Sequence, residues 1–259
     1  MATSFDVRAR LPDDLRFFRM IASVMAATII AAFSLQFAMG RSSLSARPLV
    51  HVHGLVFMVW VGIFAAQAWL GATGLLAIHR RLGKLAAFWV PLMVLMGTWI
   101  TLDGVQRGSA PFFFQPQYFL IANPLTVFAF AFMVIAAVRL RHRTDWHLRL
   151  QIGAMTMIMG PAFGRLLPAP LMMPWVFEIS ALVGLAFPLV GIVRDVRRGD
   201  SVHPAWLWTI AVLIGVLLLA QIIASSPLGD AIYSAATAGH PGAALPGMAY
   251  PPPPPMPGG

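Results

Sequence analysis

Long apolar runs, each closed by charged residues or by Gly and Pro, set the pattern of this chain. The runs cover about residues 17–39, 49–78, 85–102, 124–140, 148–167, 174–193 and 204–225. A helix rises about 1.5 Å per residue, so about 20 apolar residues cross a hydrocarbon core about 30 Å thick. The pattern therefore predicts an all-α integral membrane protein, a bundle of about seven transmembrane helices. The first run is too long for a signal-peptide core and reads as a retained helix.

The flanks divide the chain into three parts. Residues 1–16 are polar, with Arg8, Arg10 and Arg16 beside Asp6, Asp13 and Asp14, and read as a cytoplasmic segment. Residues 17–226 form the transmembrane domain. Residues 227–259 turn rich in Ala, Gly and Pro and end PPPPPMPGG, which predicts a disordered tail outside the membrane with polyproline character. One further stretch, 111–122 (PFFFQPQYFLIA), is aromatic and broken by Pro116. It is expected along the outer interface, with Asn123 as N-cap and Pro124 as first residue of the fourth helix.

Composition agrees with a bilayer. Charged residues make up only 10% and hydrophobic residues 59%, against about a quarter charged in soluble domains. The net charge of +9 would suggest nucleic acid in a soluble chain. Here the basic residues sit at the ends of apolar runs, so membrane orientation explains them and nucleic acid is not an expected partner. With the N-terminus inside, fourteen of the eighteen Lys and Arg residues fall on inner segments and only Arg41, Arg47, Arg107 and Arg165 on outer ones. That bias predicts a cytoplasmic N-terminus and an external C-terminus.

The chain has no cysteine. Disulfides, thiolate metal sites, iron–sulfur clusters and c-type haem attachment are thereby excluded. Lys84 is the only lysine and lies at a helix boundary, so no retinal Schiff base can form deep in a helix.

Polar residues within apolar runs are the candidates for function. His53, Phe57, Trp60, Phe64, Gln67, Gly71 and Gly74 recur every three or four residues and share one helix face. That face is either a packing seam or the lining of a pocket. His51 and His53 point about 200° apart on a helix, so they meet one metal only in an extended segment, and no metal site is expected. Met155, Met157 and Met159 alternate faces and read as core filling. Arg165 and Glu178, the only glutamate, lie within apolar runs near the outer side. They are expected to pair, facing inward, with His53 and Asn123 at similar depth. His53, Trp60, Gln67, Asn123, Arg165 and Glu178 thus form the candidate ligand pocket. On the inner side, His79 and His147 stand on separate helices at one depth, coarsely the geometry that two axial ligands of one haem b require.

The motifs HVHG at 51–54, HRRLGK at 79–84 and WHLR at 146–149 resemble a broad group of uncharacterised bacterial inner-membrane proteins. The HRxLG loop is similar to one in transmembrane b-type cytochromes and in proteins linked to haem–copper oxidase assembly. The resemblance implies a multi-pass protein of the bacterial plasma membrane.

Three function classes stay open. One is a membrane protein that binds or passes a small ligand through an outward-facing polar pocket. The second is a redox-associated protein binding one b-type haem or a quinone near a respiratory complex. The third is a non-catalytic accessory or assembly subunit with a membrane-protein partner. No Ser-His-acid or His-Glu metal arrangement indicates hydrolysis, so an enzyme is not the expected reading.

The charge bias has a direct test in a chain without cysteine. Cysteines introduced at Gly258 and Ser201 are offered an impermeant thiol reagent in intact cells. Gly258→Cys should react and Ser201→Cys should not; the reverse pattern would invert the topology.

Overall fold

Prolines and glycines decide where the apolar runs become helices. The computed structural model describes residues 4–252, with side chains from residue 13 onward. The helices are α1 (Ser4–Ala38), α2 (Pro48–Ala72), α3 (Leu76–Gln106), α4 (Pro116–Arg139), α5 (Thr144–Met157), α6 (Gly160–Leu166), α7 (Val176–Val183), α8 (Ala186–Arg197), α9 (Pro204–Ala224) and α10 (Pro227–Thr237). Short 3₁₀ turns lie at Ala169–Met172 and Pro241–Ala244. Among the described residues there is no strand, and six spans are long and apolar enough to cross a membrane. They are Asp13–Ala38, α2, α3, α4, α7 with α8 taken together, and α9.

The chain divides into two units, residues 1–93 and 94–259. In the first, α1 packs along α2. Trp69 Nε1 donates to Ser23 Oγ at 3.0 Å, and the Arg19 guanidinium sits 4.7 Å over the same indole. The turn from α2 to α3 comes earlier than the sequence reading placed it. Gly74 takes φ +78°, and Leu75 N–H bonds back to the Leu70 carbonyl at 3.0 Å, the closure that a left-handed residue after a helix end permits. HRRLGK is therefore not a loop between spans. It lies inside α3, in its first turns.

In the second unit α4 packs against α5 and α9, and α9 also meets α5 and α8. Phe130, Met133, Met155, Leu213 and Trp206 are fully buried there, and Met157 and Met159 join them as core filling. Two glycines allow the close approach of these helices. A Cβ on Gly153 would overlap Thr209 Oγ1 and Met133, and one on Gly191 would overlap the Trp206 ring.

Four expectations need correction. The fifth run is not one long helix: α5 ends at Met157 and the seven-residue α6 follows. Pro161 has no N–H for the Met157 carbonyl, so the ladder stops there. The sixth run breaks between α7 and α8 for the same reason, since Pro188 leaves the Gly184 carbonyl without its helical donor. The fourth helix begins at Pro116, so Pro124 lies inside it and Asn123 is no N-cap.

The last correction concerns the tail, which is not disordered over 227–250. Ser226 Oγ caps α10 by accepting from Gly229 N–H at 3.4 Å. Buried Gln117 donates to the Ala224 carbonyl and to Asp230 Oδ1, both at 2.8 Å. Tyr233 Oη reaches the Gly242 and Leu245 carbonyls at 3.0 and 3.1 Å. A buried amide cannot be left unsatisfied, and these residues satisfy it. The end of the proline run, 253–259, lies outside the described residues.

Gly191→Ala should lower thermal stability in detergent, at a cost of about 1–3 kcal/mol, because Trp206 has nowhere to retreat. Gly215→Ala, where a Cβ meets nothing within 4 Å, should not lower it. Equal losses at the two positions would remove the close-packing explanation.

Candidate functional site

An aromatic cavity of about 190 Å³ opens at the end of the second unit where α4 begins and α9 finishes. The sequence puts rings there from three directions. Phe113 and Phe114 precede α4, and Tyr118 sits in its first turn. Trp175 and Phe177 flank the start of α7, and Tyr250 comes from the C-terminal segment. The rings brace one another edge to face: Phe114 and Phe177 lie 5.7 Å apart, Tyr118 and Phe177 5.6 Å. Such contacts hold an aromatic wall in place.

The C-terminal segment closes one side. Gln115 Nε2 donates to the Met248 carbonyl at 2.8 Å, Gln117 N–H to the Gly247 carbonyl at 2.9 Å, and Tyr250 Oη to the Pro174 carbonyl at 3.1 Å. The segment expected as a disordered tail is thus a strap over the cavity.

Among the described residues Glu178 is the cavity's only charged side chain. It sits in the first turn of α7, where a carboxylate is favoured by the helix dipole. Its Oε2 is buried without a hydrogen bond of good geometry, and the Tyr118 hydroxyl lies close enough to the carboxylate to interact with it. Burial first, and then the Glu178 carboxylate, push the Tyr250 phenol above its ordinary value. The site therefore has a carboxylate whose field is felt by two phenols and whose Oε2 lacks a well-formed hydrogen bond. A buried acceptor without a donor costs about 1–3 kcal/mol, and more if charged. A ligand can supply what is missing.

Of the six expected pocket residues, Glu178 lines this cavity, Asn123 and Arg165 lie elsewhere in the second unit, and His53, Trp60 and Gln67 belong to the first. Arg165 is exposed on α6 and its Nη1 donates to the Pro161 carbonyl at 2.9 Å. Glu178 lies among the rings of the cavity, whose lining does not include Arg165. Asn123 Nδ2 donates to Thr101 Oγ1 at 2.6 Å, tying α4 to α3. In the first unit Trp60 is buried, His53 packs on Phe57 with ring centroids 4.5 Å apart, and Gln67 Oε1 is buried without a hydrogen bond. These three stand on α2.

His79 Nδ1 is 3.1 Å from the Gln67 carbonyl in the first unit, and His147 Nδ1 is 2.8 Å from the Ala137 carbonyl in the second. Among the described residues no group of three or more His, Cys, Asp or Glu could hold a metal ion.

Sequence reasoning missed the other polar cluster, at the opposite end of α9. Arg149 of α5 and Asp195 of α8 are 7% and 3% exposed and pair at 3.1 Å. Asp195 Oδ2 also accepts from Trp206 Nε1 at 3.0 Å and from His203 N–H at 3.2 Å. His203 caps α9, its Nδ1 accepting from Ala205 N–H at 3.2 Å, while Nε2 lies 3.0 Å from Asp145 Oδ2. Because Nδ1 is an acceptor, the neutral ring must carry its proton on Nε2 and donate it to Asp145. Burial, helped by the Arg149 charge, lowers the His203 pKa more than the Asp145 bond and the Asp145 and Asp195 charges raise it. Burial raises Asp145, but the His203 bond, the Trp146 N–H and the Arg143 charge together leave it below the ordinary carboxylate value. The basic residues here had been read only as orientation signals. The legible clue was Asp195, an acid among arginines at the end of an apolar run.

Both shifts have the same sign. Each folded-state pKa lies below its unfolded value, so the unfolded chain takes up protons first and stability falls with pH. The His203 contribution is complete above about 6.5 and is lost as pH falls through the folded value; that of Asp145 goes below about 3.8. Thermal unfolding in detergent should show a lower Tm at pH 5.5 than at 7.5. His203→Asn, which keeps a capping side chain, should flatten that slope; an unchanged slope would remove His203 as its source.

No protein-family model, no curated protein and no solved structure matches this chain.

Proposed function

We propose that this chain is a multi-pass protein of the bacterial plasma membrane that binds a small ligand in an outward-facing pocket, the aromatic cavity around Glu178. The single observation that carries the reading is a ring-lined cavity with one carboxylate, whose buried Oε2 makes no hydrogen bond of good geometry. Pockets of this build, mostly apolar with one or two polar groups, are the usual form of small-molecule sites.

Seven crossings with an inner N-terminus and outer C-terminus fit the geometry of the second unit. α5 starts beside Asp195, at the end of α8, whereas α7 starts beside Tyr118, at the opposite end. The path through α5 and α6 therefore supplies a crossing that neither helix makes by itself. The Arg-rich end holding Arg139, Arg141, Arg143, Arg149, Arg194, Arg197 and Arg198 then faces the cytoplasm, and the cavity faces out. The plasma-membrane assignment rests on the HVHG, HRRLGK and WHLR motifs. The site carries no nucleophile–base pair, so binding or passage of a ligand is the activity and no enzymatic step is assigned.

One observation favours the haem reading as a second possibility. His79 and His147 each set Nδ1 against a backbone carbonyl, the arrangement that holds the proton on Nδ1 and leaves the Nε2 lone pair free in histidine ligands. Purified protein from haem-replete cells would then show a b-type Soret band that His147→Ala abolishes.

The pocket reading is tested by exposure and by ligand response. Trp175→Cys, at an exposed rim position, should react with an impermeant thiol reagent in intact cells. A thermal-shift panel of cationic, anionic and neutral organic solutes should contain stabilisers whose effect falls in Glu178→Gln. An unreactive Trp175→Cys together with no stabiliser in the panel would overturn the reading.

A further inference from the structure

We propose that the ligand of the Glu178 cavity is an organic cation, a small quaternary or alkylated ammonium group; this rests on the pocket reading above. The charge inventory is one-sided. Among the described residues the lining has one carboxylate and no Arg, Lys or His, and Arg165, expected as an anion holder, is not part of it. An anion would meet a like charge and no donor to offset it.

The rings decide between the remaining cations. Trp175, Tyr118, Phe114 and Phe177 line the same space as Glu178, with Tyr250 on the strap. Aromatic faces carry negative quadrupole density, and several of them around one space attract a diffuse cation whose methyl groups also gain from apolar contact. A divalent metal wants six or more oxygen ligands or several His and carboxylates, and the cavity offers one carboxylate. The amides do not change this. Gln115 Nε2 is engaged by the Met248 carbonyl and Gln221 Nε2 by Ser225 Oγ, so their nitrogens are turned to the protein.

Size points the same way. About 190 Å³ is below the roughly 300–1,000 Å³ of sites for drug-sized ligands, and suits a head group of a few carbons around one nitrogen. A neutral apolar guest of that size would fill the space but leave Glu178 Oε2 unmet. The ammonium itself could arrive on a free solute or on a lipid head group, since the cavity opens at the end of the apolar spans.

The test uses the full chain in phosphatidylglycerol nanodiscs, with choline as probe and 3,3-dimethylbutan-1-ol as its neutral isostere. Choline should bind saturably, and the isostere about tenfold more weakly or less, as expected for loss of the charge. Glu178→Gln should weaken choline by about tenfold or more. Trp175→Leu, an exposed position that folding does not depend on, should weaken it several-fold, which keeps the test valid if Glu178→Gln fails to fold. Phosphatidylcholine discs separate the sources: competition there assigns the site to a lipid head group, and unchanged affinity assigns it to a free solute. Equal binding of choline and its isostere, or choline binding that neither variant weakens, would overturn the cation assignment. If solutes of another class stabilise the protein while choline does not, the cation fails and the pocket stands. If none does, both fail.

Discussion

Asp195 holds the second unit together. One carboxylate, 3% exposed, accepts from the Arg149 guanidinium, the Trp206 indole and the His203 backbone N–H. Those donors come from α5, from α9 and from the residue that caps α9, while the acceptor belongs to α8. Two charges removed from water are tolerated only when their remaining hydrogen-bonding capacity is met, and here three donors converge on the acid. Trp206 also lies flat on α8 because residue 191 has no side chain. The ion pair and the packing are thus one arrangement: the indole must be close to Gly191 for its N–H to reach Asp195. Breaking either part strands a charge.

The two ends of α9 resolve the same constraint in opposite ways. A membrane core offers no hydrogen bonds, so polar groups must find partners inside the protein or collect at its boundaries. At the Pro204 end the cluster is closed, with the acid fully engaged. At the Ala224 end, 21 residues or about 31 Å away, Gln117 is satisfied by Ala224 and Asp230, yet Glu178 nearby is not. The contrast matters because both ends use the same devices, buried polar side chains bonded to backbone carbonyls. The Glu178 end thus keeps an acid and a phenol, Tyr118, without well-formed hydrogen bonds, whereas Asp195 is engaged by three donors.

What was legible in the sequence follows from what each signal depends on. Apolar length depends only on bilayer thickness, so the membrane spans could be read directly. Their limits depend on single residues. Gly74, read as part of a packing seam, ends α2 through its left-handed backbone, and Pro161 and Pro188 interrupt runs whose hydropathy is continuous. The tail was misread because its Ala, Gly and Pro look like a disordered segment; what orders it is Gln117, more than a hundred residues away. Pairing across such separations has no local signature. Glu178 was identified as an intramembrane acid, but its expected partner came from proximity across one turn. The better clue was in its own segment, WVFE, where aromatic residues adjoin the only glutamate and the PFFFQPQYF stretch supplies the rest of the wall.

The strap gives that cavity a property that the helices alone could not. Phe113, Phe114, Tyr118, Trp175 and Phe177 stand on or beside α4 and α7, whose positions are set by packing along the membrane. Tyr250 and Met248 belong instead to a segment held by a handful of hydrogen bonds to Gln115, Gln117 and Pro174. Each such bond contributes about 0.5–1.5 kcal/mol net, so the strap is the part of the wall that can open at least cost. Its exchange would leave the rings and Glu178 in place. On the proposed reading, a rigid aromatic wall with one weakly fastened side would bind by preorganisation and admit the ligand from that side, with the fastening residues, rather than Glu178, governing how fast it comes and goes.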